Sequence, residues 1–157
     1  MSRKANLLIL FLLLFFTTTL CSCDDVIVDP IWVIGVKGVD APVFSSLDYG
    51  ELRKVTVTIG KKQQDNSTPE ETWEGVYLKD VLDYLGVAEG YSSITITSSD
   101  GFSVEYTPDI INDSLTVLAT KVNGRDLEYE DGYTKIIAGN QPEDIWVDSP
   151  AKISINK

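Results

Sequence analysis

Residues Trp73 to Val87, WEGVYLKDVLDYLGV, hold the most information about the fold. They read as a turn, an amphipathic helix and a helix stop within fifteen residues. Leu78, Val81, Leu82 and Leu85 fall at i, i+3, i+4 and i+7 and so share one helical face, while Lys79, Asp80 and Asp83 point elsewhere. Gly86 stands where a left-handed residue ends a helix at no steric cost. Such a helix packs a small domain together; its spacing says nothing about chemistry.

Working outward, Val55-Thr56-Val57-Thr58-Ile59 alternates with its β-branched apolar side chains on one face and predicts a strand. Lys61 to Glu71 has no apolar residue and predicts a surface loop. Upstream, Ile31 to Val36 reads as a strand closed by Gly35 and Gly38, followed by an extended Ala41-Pro42 and a short helix over Leu47 to Leu52. Downstream, Ser93 to Thr97 and Phe102 to Tyr106 pair about the tight turn Ser99-Asp100-Gly101. A short helical piece over Asp109 to Ser114 follows, then a strand over Leu115 to Val122 that runs into the hairpin signal Asn123-Gly124. Lys135-Ile136-Ile137-Ala138 is a buried run, and Ala151 to Ile155 a short closing strand. About six strands, one strong helix and no regular βαβ alternation predict an α+β domain.

The N-terminal stretch has a different character. Arg3 and Lys4 precede an unbroken apolar run from Leu7 to Phe16, too short to span a bilayer, so residues 1–22 read as a signal peptide. Its end, Leu20-Cys21-Ser22-Cys23, resembles a bacterial lipobox, which makes Cys23 the expected lipidated first residue of the mature chain. An ordinary secretory cut near Ser22 is the alternative. Residues 23–30 form an acidic tether, and residues 31–157 the domain. The expected location is therefore the cell envelope, held to a membrane through lipid on Cys23.

Two counts narrow the chemistry. The only cysteines are Cys21 and Cys23, and histidine is absent, so the domain has no thiolate, no imidazole base and no usual zinc ligand. Beyond the leader, 11 basic residues face 24 acidic ones, a net charge of −13. Nucleic acid is excluded as a partner, because phosphate binding needs clustered Lys and Arg. Neither the acidic pairs Glu70-Glu71 and Glu143-Asp144 nor the run from Glu128 to Asp131 has the spacing of a defined calcium loop.

The order of landmarks carries more than any one of them. Trp73-Glu74-Gly75-Val76 with Leu78 and Leu82, then Asp100-Gly101-Phe102-Ser103, Leu118-Ala119, Asn123-Gly124 and a terminal Ile153-Ser154-Ile155, resembles the oxidoreductase molybdopterin-binding domain of the sulfite oxidase family over Ile31 to Ile155. The resemblance implies mixed sheets of β-grasp-like character. It also implies a metal-ligating cysteine after the strand matching Val55 to Ile59, where this chain has Gly60-Lys61-Lys62. The family's Gly-x-Pro-x-Arg before a Val-Pro-Gly is matched by Gly132-Tyr133-Thr134-Lys135-Ile136-Ile137-Ala138-Gly139, without the Pro and Arg. The positions that correspond to the cofactor edge are Lys61, Lys62, Trp73, Lys135, Asn140 and Trp146.

The favoured expectation is a lipid-anchored, non-catalytic relative with no cofactor, which binds a ligand or an envelope protein. A true molybdopterin-dependent oxidoreductase that holds its cofactor without a cysteine is the alternative, with Lys135, Lys61 and Lys62 as point charges for a phosphate. A structural, partner-docking lipoprotein is the third reading. The commoner role of Trp73 and Trp146 is core or rim packing, and that of the lysines is solvated loop charge.

Overall fold

A computed structural model describes residues 28–60, 70–87 and 89–157. The leader with its lipobox, Cys23, Lys61 and Lys62 lie outside the described residues. In chain order the elements are β1 (Val33–Lys37), β2 (Val43–Ser45), α1 (Ser46–Glu51), β3 (Val55–Gly60), β4 (Glu70–Tyr77) and α2 (Leu78–Tyr84). There follow β5 (Ser93–Ser98), β6 (Ser103–Tyr106), α3 (Pro108–Ile111), β7 (Thr116–Val122), β8 (Arg125–Asp126), β9 (Lys135–Ala138), β10 (Val147–Asp148) and β11 (Pro150–Asn156). Short 3-10 turns lie at Tyr129–Asp131 and Glu143–Ile145.

The strands form two sheets, and with few helices the fold is α+β, as expected. One sheet has the order β2-β1-β11-β5-β6, antiparallel except for the central parallel pair β1 and β11. The other has the order β10-β9-β7-β4-β3 with β8 added to β7, and is antiparallel throughout. It is strongly curled. Gly139, just past β9, packs against Ile59 of β3, with two strands between them in the sheet order, so closely that a Cβ there would lie 2.7 Å from Ile59 Cδ1.

Helix α2 forms as its spacing predicts: Leu78, Val81, Leu82 and Leu85 are all buried. Each such side chain contributes about 1.5–3 kcal/mol over an exposed one. Gly86, at φ +76°, ends the helix. Its N–H donates to Asp83 O at 3.0 Å, and that of Val87 donates to Leu82 O at 2.8 Å, which satisfies two of the helix's last carbonyls. At the start of α1, Ser45 Oγ accepts from the Asp48 N–H while Asp48 Oδ2 accepts from the Ser45 N–H at 2.8 Å, a reciprocal cap. The Asn123-Gly124 hairpin has both residues left-handed, at φ 51° and 76°, as a two-residue turn between twisted strands requires.

Several expectations are corrected. Glu70 to Tyr77 is the full strand β4, neither loop at its start nor turn at Trp73. Gly35 lies within β1, and Gly38 ends it at φ +98°. Eleven strands, not about six, are found among the described residues.

The glycine of Trp-Glu-Gly-Val has a packing cause. β4 crosses β7 at a register shift between Glu74 and Gly75. A Cβ on Gly75 would overlap Leu118 O and lie 2.7 Å from Ala119 Cα. Both obstacles are backbone, so only glycine allows the two strands to pair here.

Candidate functional site

The register of the curled sheet assembles the site. Val55, Gly75, Ala119, Lys135 and Asp148 form one row across β3, β4, β7, β9 and β10. Lys135 and Asp148 are thus direct cross-strand neighbours, and Lys135 Nζ lies 2.8 Å from Asp148 Oδ1. On β4, two residues from Gly75, Trp73 meets Trp146 edge to face, with centroids 6.1 Å apart and planes at 87°. Lys135 Nζ stands 5.8 Å from the Trp73 ring centroid and 5.7 Å from that of Trp146, which suits cation–π attraction to both.

Three of the sequence-predicted residues, Trp73, Lys135 and Trp146, are therefore brought together. Asn140 is not part of this group: its Nδ2 donates to Asp113 Oδ2 at 2.7 Å. Both tryptophans are buried, which gives them the packing role, but their polar atoms differ. Trp146 Nε1 donates to Ala138 O at 3.0 Å. Trp73 Nε1 is buried without a hydrogen-bond partner. An unmade buried hydrogen bond costs about 1–3 kcal/mol.

Trp73 and Lys135 line an open cleft of about 400 Å³ that also holds Glu71, Arg125, Glu130, Asp131 and Asp148. Arg125, set beside Val122 by the Asn123-Gly124 hairpin, forms a close ion pair with Asp131, Nη1 to Oδ2 2.6 Å. The hydrogen bond from Arg125, with a further one from the Glu128 N–H, holds the Asp131 carboxyl below its usual range. The same contact holds the Arg125 guanidinium above its usual range. Both cleft cations are thus engaged by carboxylates, and four carboxylates face two cations. The sequence reading missed Arg125, Asp131 and Asp148, because their meeting depends on cross-strand register. The hairpin at Asn123-Gly124 was the one visible signal, and it fixes only Arg125.

The backbone beside the cleft is unusual. Tyr133 has φ 61° and Ser149 φ 44°, left-handed conformations that cost non-glycine residues of order 1–3 kcal/mol each. Hydrogen bonds hold both. Thr134 N–H donates to Gly132 O at 2.8 Å across Tyr133, and Ser149 N–H donates to Thr134 O at 3.0 Å. Gly132, itself at φ +75°, lies so close to Ser149 that a Cβ would stand 2.6 Å from Ser149 Cβ.

Comparison with known proteins agrees with this geometry. The family model for the oxidoreductase molybdopterin binding domain matches residues 45–134, more than half of the chain, and the chain belongs to that family. Among solved structures it is similar to the sulfane dehydrogenase SoxCD from Paracoccus pantotrophus, with a TM-score of 0.66 and 19% identity over 80% of this chain. That likeness is one of fold, and this chain spans only 38% of the SoxCD chain. No curated protein matches the chain. Lys135, Asn140 and Trp146 lie past the end of the family match.

The family is molybdopterin-binding, and the described residues do not fit that group. The domain has neither Cys nor His. Among the described residues no group of three or more Asp and Glu side chains is arranged to hold a metal ion. Lys135 and Arg125 are engaged, and an acidic cleft disfavours a phosphate. Among the described residues Trp73 Nε1 is the one buried side-chain donor without a hydrogen-bond partner.

Proposed function

We propose that this chain is a lipid-anchored, non-catalytic member of the molybdopterin-binding family that serves the cell envelope as a ligand- or partner-binding module. The observation that carries the reading is the Lys135–Asp148 pair. Lys135 stands in the segment that corresponds to the family's phosphate-holding Arg, and its charge is engaged by Asp148 in a cleft with an acidic excess. A missing thiolate and histidine point the same way. The fold has been kept and the ligand set has not.

Anchoring rests on the N-terminal sequence. Arg3, Lys4, the apolar run to Phe16 and Leu20-Cys21-Ser22-Cys23 support a signal peptide over 1–22, lipid on Cys23, a tether over 23–30 and the domain over 31–157. Among the described residues no helix is long and apolar enough to cross a membrane. Labelling with radioactive palmitate should mark the full chain, and Cys23→Ser should abolish both the label and membrane pelleting. Unchanged pelleting of the Cys23→Ser protein would contradict this part.

A second reading, a molybdopterin-dependent oxidoreductase or its subunit without a cysteine ligand, is favoured by family membership and by the unpartnered Trp73 Nε1. Metal analysis of the full chain made in a molybdenum-replete host separates the two. The module reading predicts only trace molybdenum; a stoichiometric content would replace it with the enzyme.

A further inference from the structure

The cleft adjoins two further hollows. It shares Glu130 and Ser149 with a neighbouring hollow of about 470 Å³, which in turn shares Trp32 and Tyr133 with a third of about 350 Å³, and it shares Leu127 with the third as well. The three therefore adjoin one another as one groove, past the strained Tyr133 and along the segment from Arg125 to Lys135. A compact ligand would need one hollow. A series of three suits an extended chain.

The walls say which kind of chain. Among the described lining residues the carboxylates are Glu71, Asp126, Glu128, Glu130, Asp131 and Asp148 and the cations Arg125 and Lys135; Lys121, outside the lining, pairs with Asp126 at 3.1 Å, so six carboxylates meet three cations. Arg125 and Lys135 already face carboxylates, at 2.6 and 2.8 Å. No Lys or Arg is among the described residues that line the second and third hollows. Aromatic faces alternate with the acids: Trp73 in the cleft, Trp32 and Tyr133 where the other two hollows meet, and Tyr129 at the rim, 77% exposed. Tyr129 and Tyr133 meet edge to face at 6.2 Å, so the exposed ring is held in place by its neighbour. Carboxylates beside aromatic faces attract guanidinium and ammonium groups through ion pairing and cation–π contact together.

We infer that this groove is a docking surface for an extended, Lys- and Arg-bearing segment of a partner protein. The inference rests on the module reading above and names the partner's chemistry. Charge complementarity supports it beyond the groove: a net charge of −13 past the leader draws a basic partner toward the surface, and the aromatic row fixes where it sits.

The test is titration of the full chain, in detergent and at physiological salt, with a decapeptide of alternating arginine and serine and with its glutamate–serine counterpart. Tryptophan fluorescence and calorimetry read the binding. The arginine peptide should bind saturably and the glutamate peptide should not. Tyr129→Ala and Glu130→Gln should each weaken binding about fivefold to tenfold. Asp109→Asn, which removes an exposed acid outside the groove, should change it less than twofold. Equal losses in Asp109→Asn and Glu130→Gln would show diffuse attraction only and overturn the inference. So would absence of arginine-peptide binding; binding of a neutral chitin oligosaccharide that Tyr129→Ala abolishes would then reassign the groove to a glycan. Molybdenum in the same sample would count against the module reading and leave the peptide result to be judged by itself.

Discussion

Two regions of the molecule share strands β7 and β9 and are built in opposite ways. In the curled sheet, Gly75, Ala119, Ile136 and Ile137 are set by packing, and Gly75 leaves no room for one more carbon. At the rim, from Arg125 to Lys135 and at Ser149, the backbone bends into left-handed conformations at Tyr133 and Ser149, and most of the side chains are charged or aromatic, with Leu127 and Thr134 buried among them. The sheet is the family's scaffold, whereas the rim carries carboxylates, ion-paired cations and aromatic side chains. The core residues and the edge residues answer to different constraints.

The sharpest way to break this comparison is at Gly75. Gly75→Ala places a carbon against backbone on β7 and should destabilise the protein by about 3 kcal/mol, the upper end for adding an atom to a packed interior. Since a domain has only about 5–15 kcal/mol in total, the urea midpoint should fall steeply. A loss under about 1 kcal/mol would mean that the strands are not so closely crossed.

Next in size is the contrast between the touching tryptophans. Phe in place of either removes a similar volume, but only Trp146 loses a made hydrogen bond, the one to Ala138 O. Trp146→Phe should therefore cost about 1 kcal/mol more than Trp73→Phe in chemical unfolding. Equal costs would indicate that Trp73 Nε1 has a partner in solution.

Smaller still is the rim. Lys135→Met breaks an ion pair whose Asp148 side chain is 72% exposed, and should change stability by about 1 kcal/mol or less. For Asp131 the sign follows from its lowered native pKa. The Arg125 contact stabilises the fold above the ordinary carboxyl value of 3.8 and fades as pH falls through the native value. Between about pH 5 and about pH 3, wild type should lose more stability than Asp131→Asn. A constant difference between the two across that interval would contradict the assignment.

What could be read in the sequence and what could not divides along the same line. Helix α2 was legible because Leu78, Val81, Leu82 and Leu85 repeat at the helical period and Gly86 stops them. β3 and the hairpins at Asp100-Gly101 and Asn123-Gly124 were legible from alternation and turn residues. The extent of β4 was not, since its glutamates and Gly75 interrupt the apolar alternation and Gly75 is there for a neighbour remote in sequence. Nor was the place of β11 between β1 and β5, a matter of long-range pairing. At the site, Trp73, Lys135 and Trp146 were named from the resemblance, and the fold brings them together. Asn140 turned elsewhere, and the ion pairs that neutralise the cleft depend on register, which a single sequence does not display.

The most direct test of a scaffold without its cofactor is molybdenum and pterin analysis of the full chain isolated from its native envelope, with the pterin released and read by fluorescence. The account predicts molybdenum and pterin far below the protein concentration. Stoichiometric amounts of both, retained through purification, would contradict it and make the cleft around Trp73 and Lys135 a cofactor site.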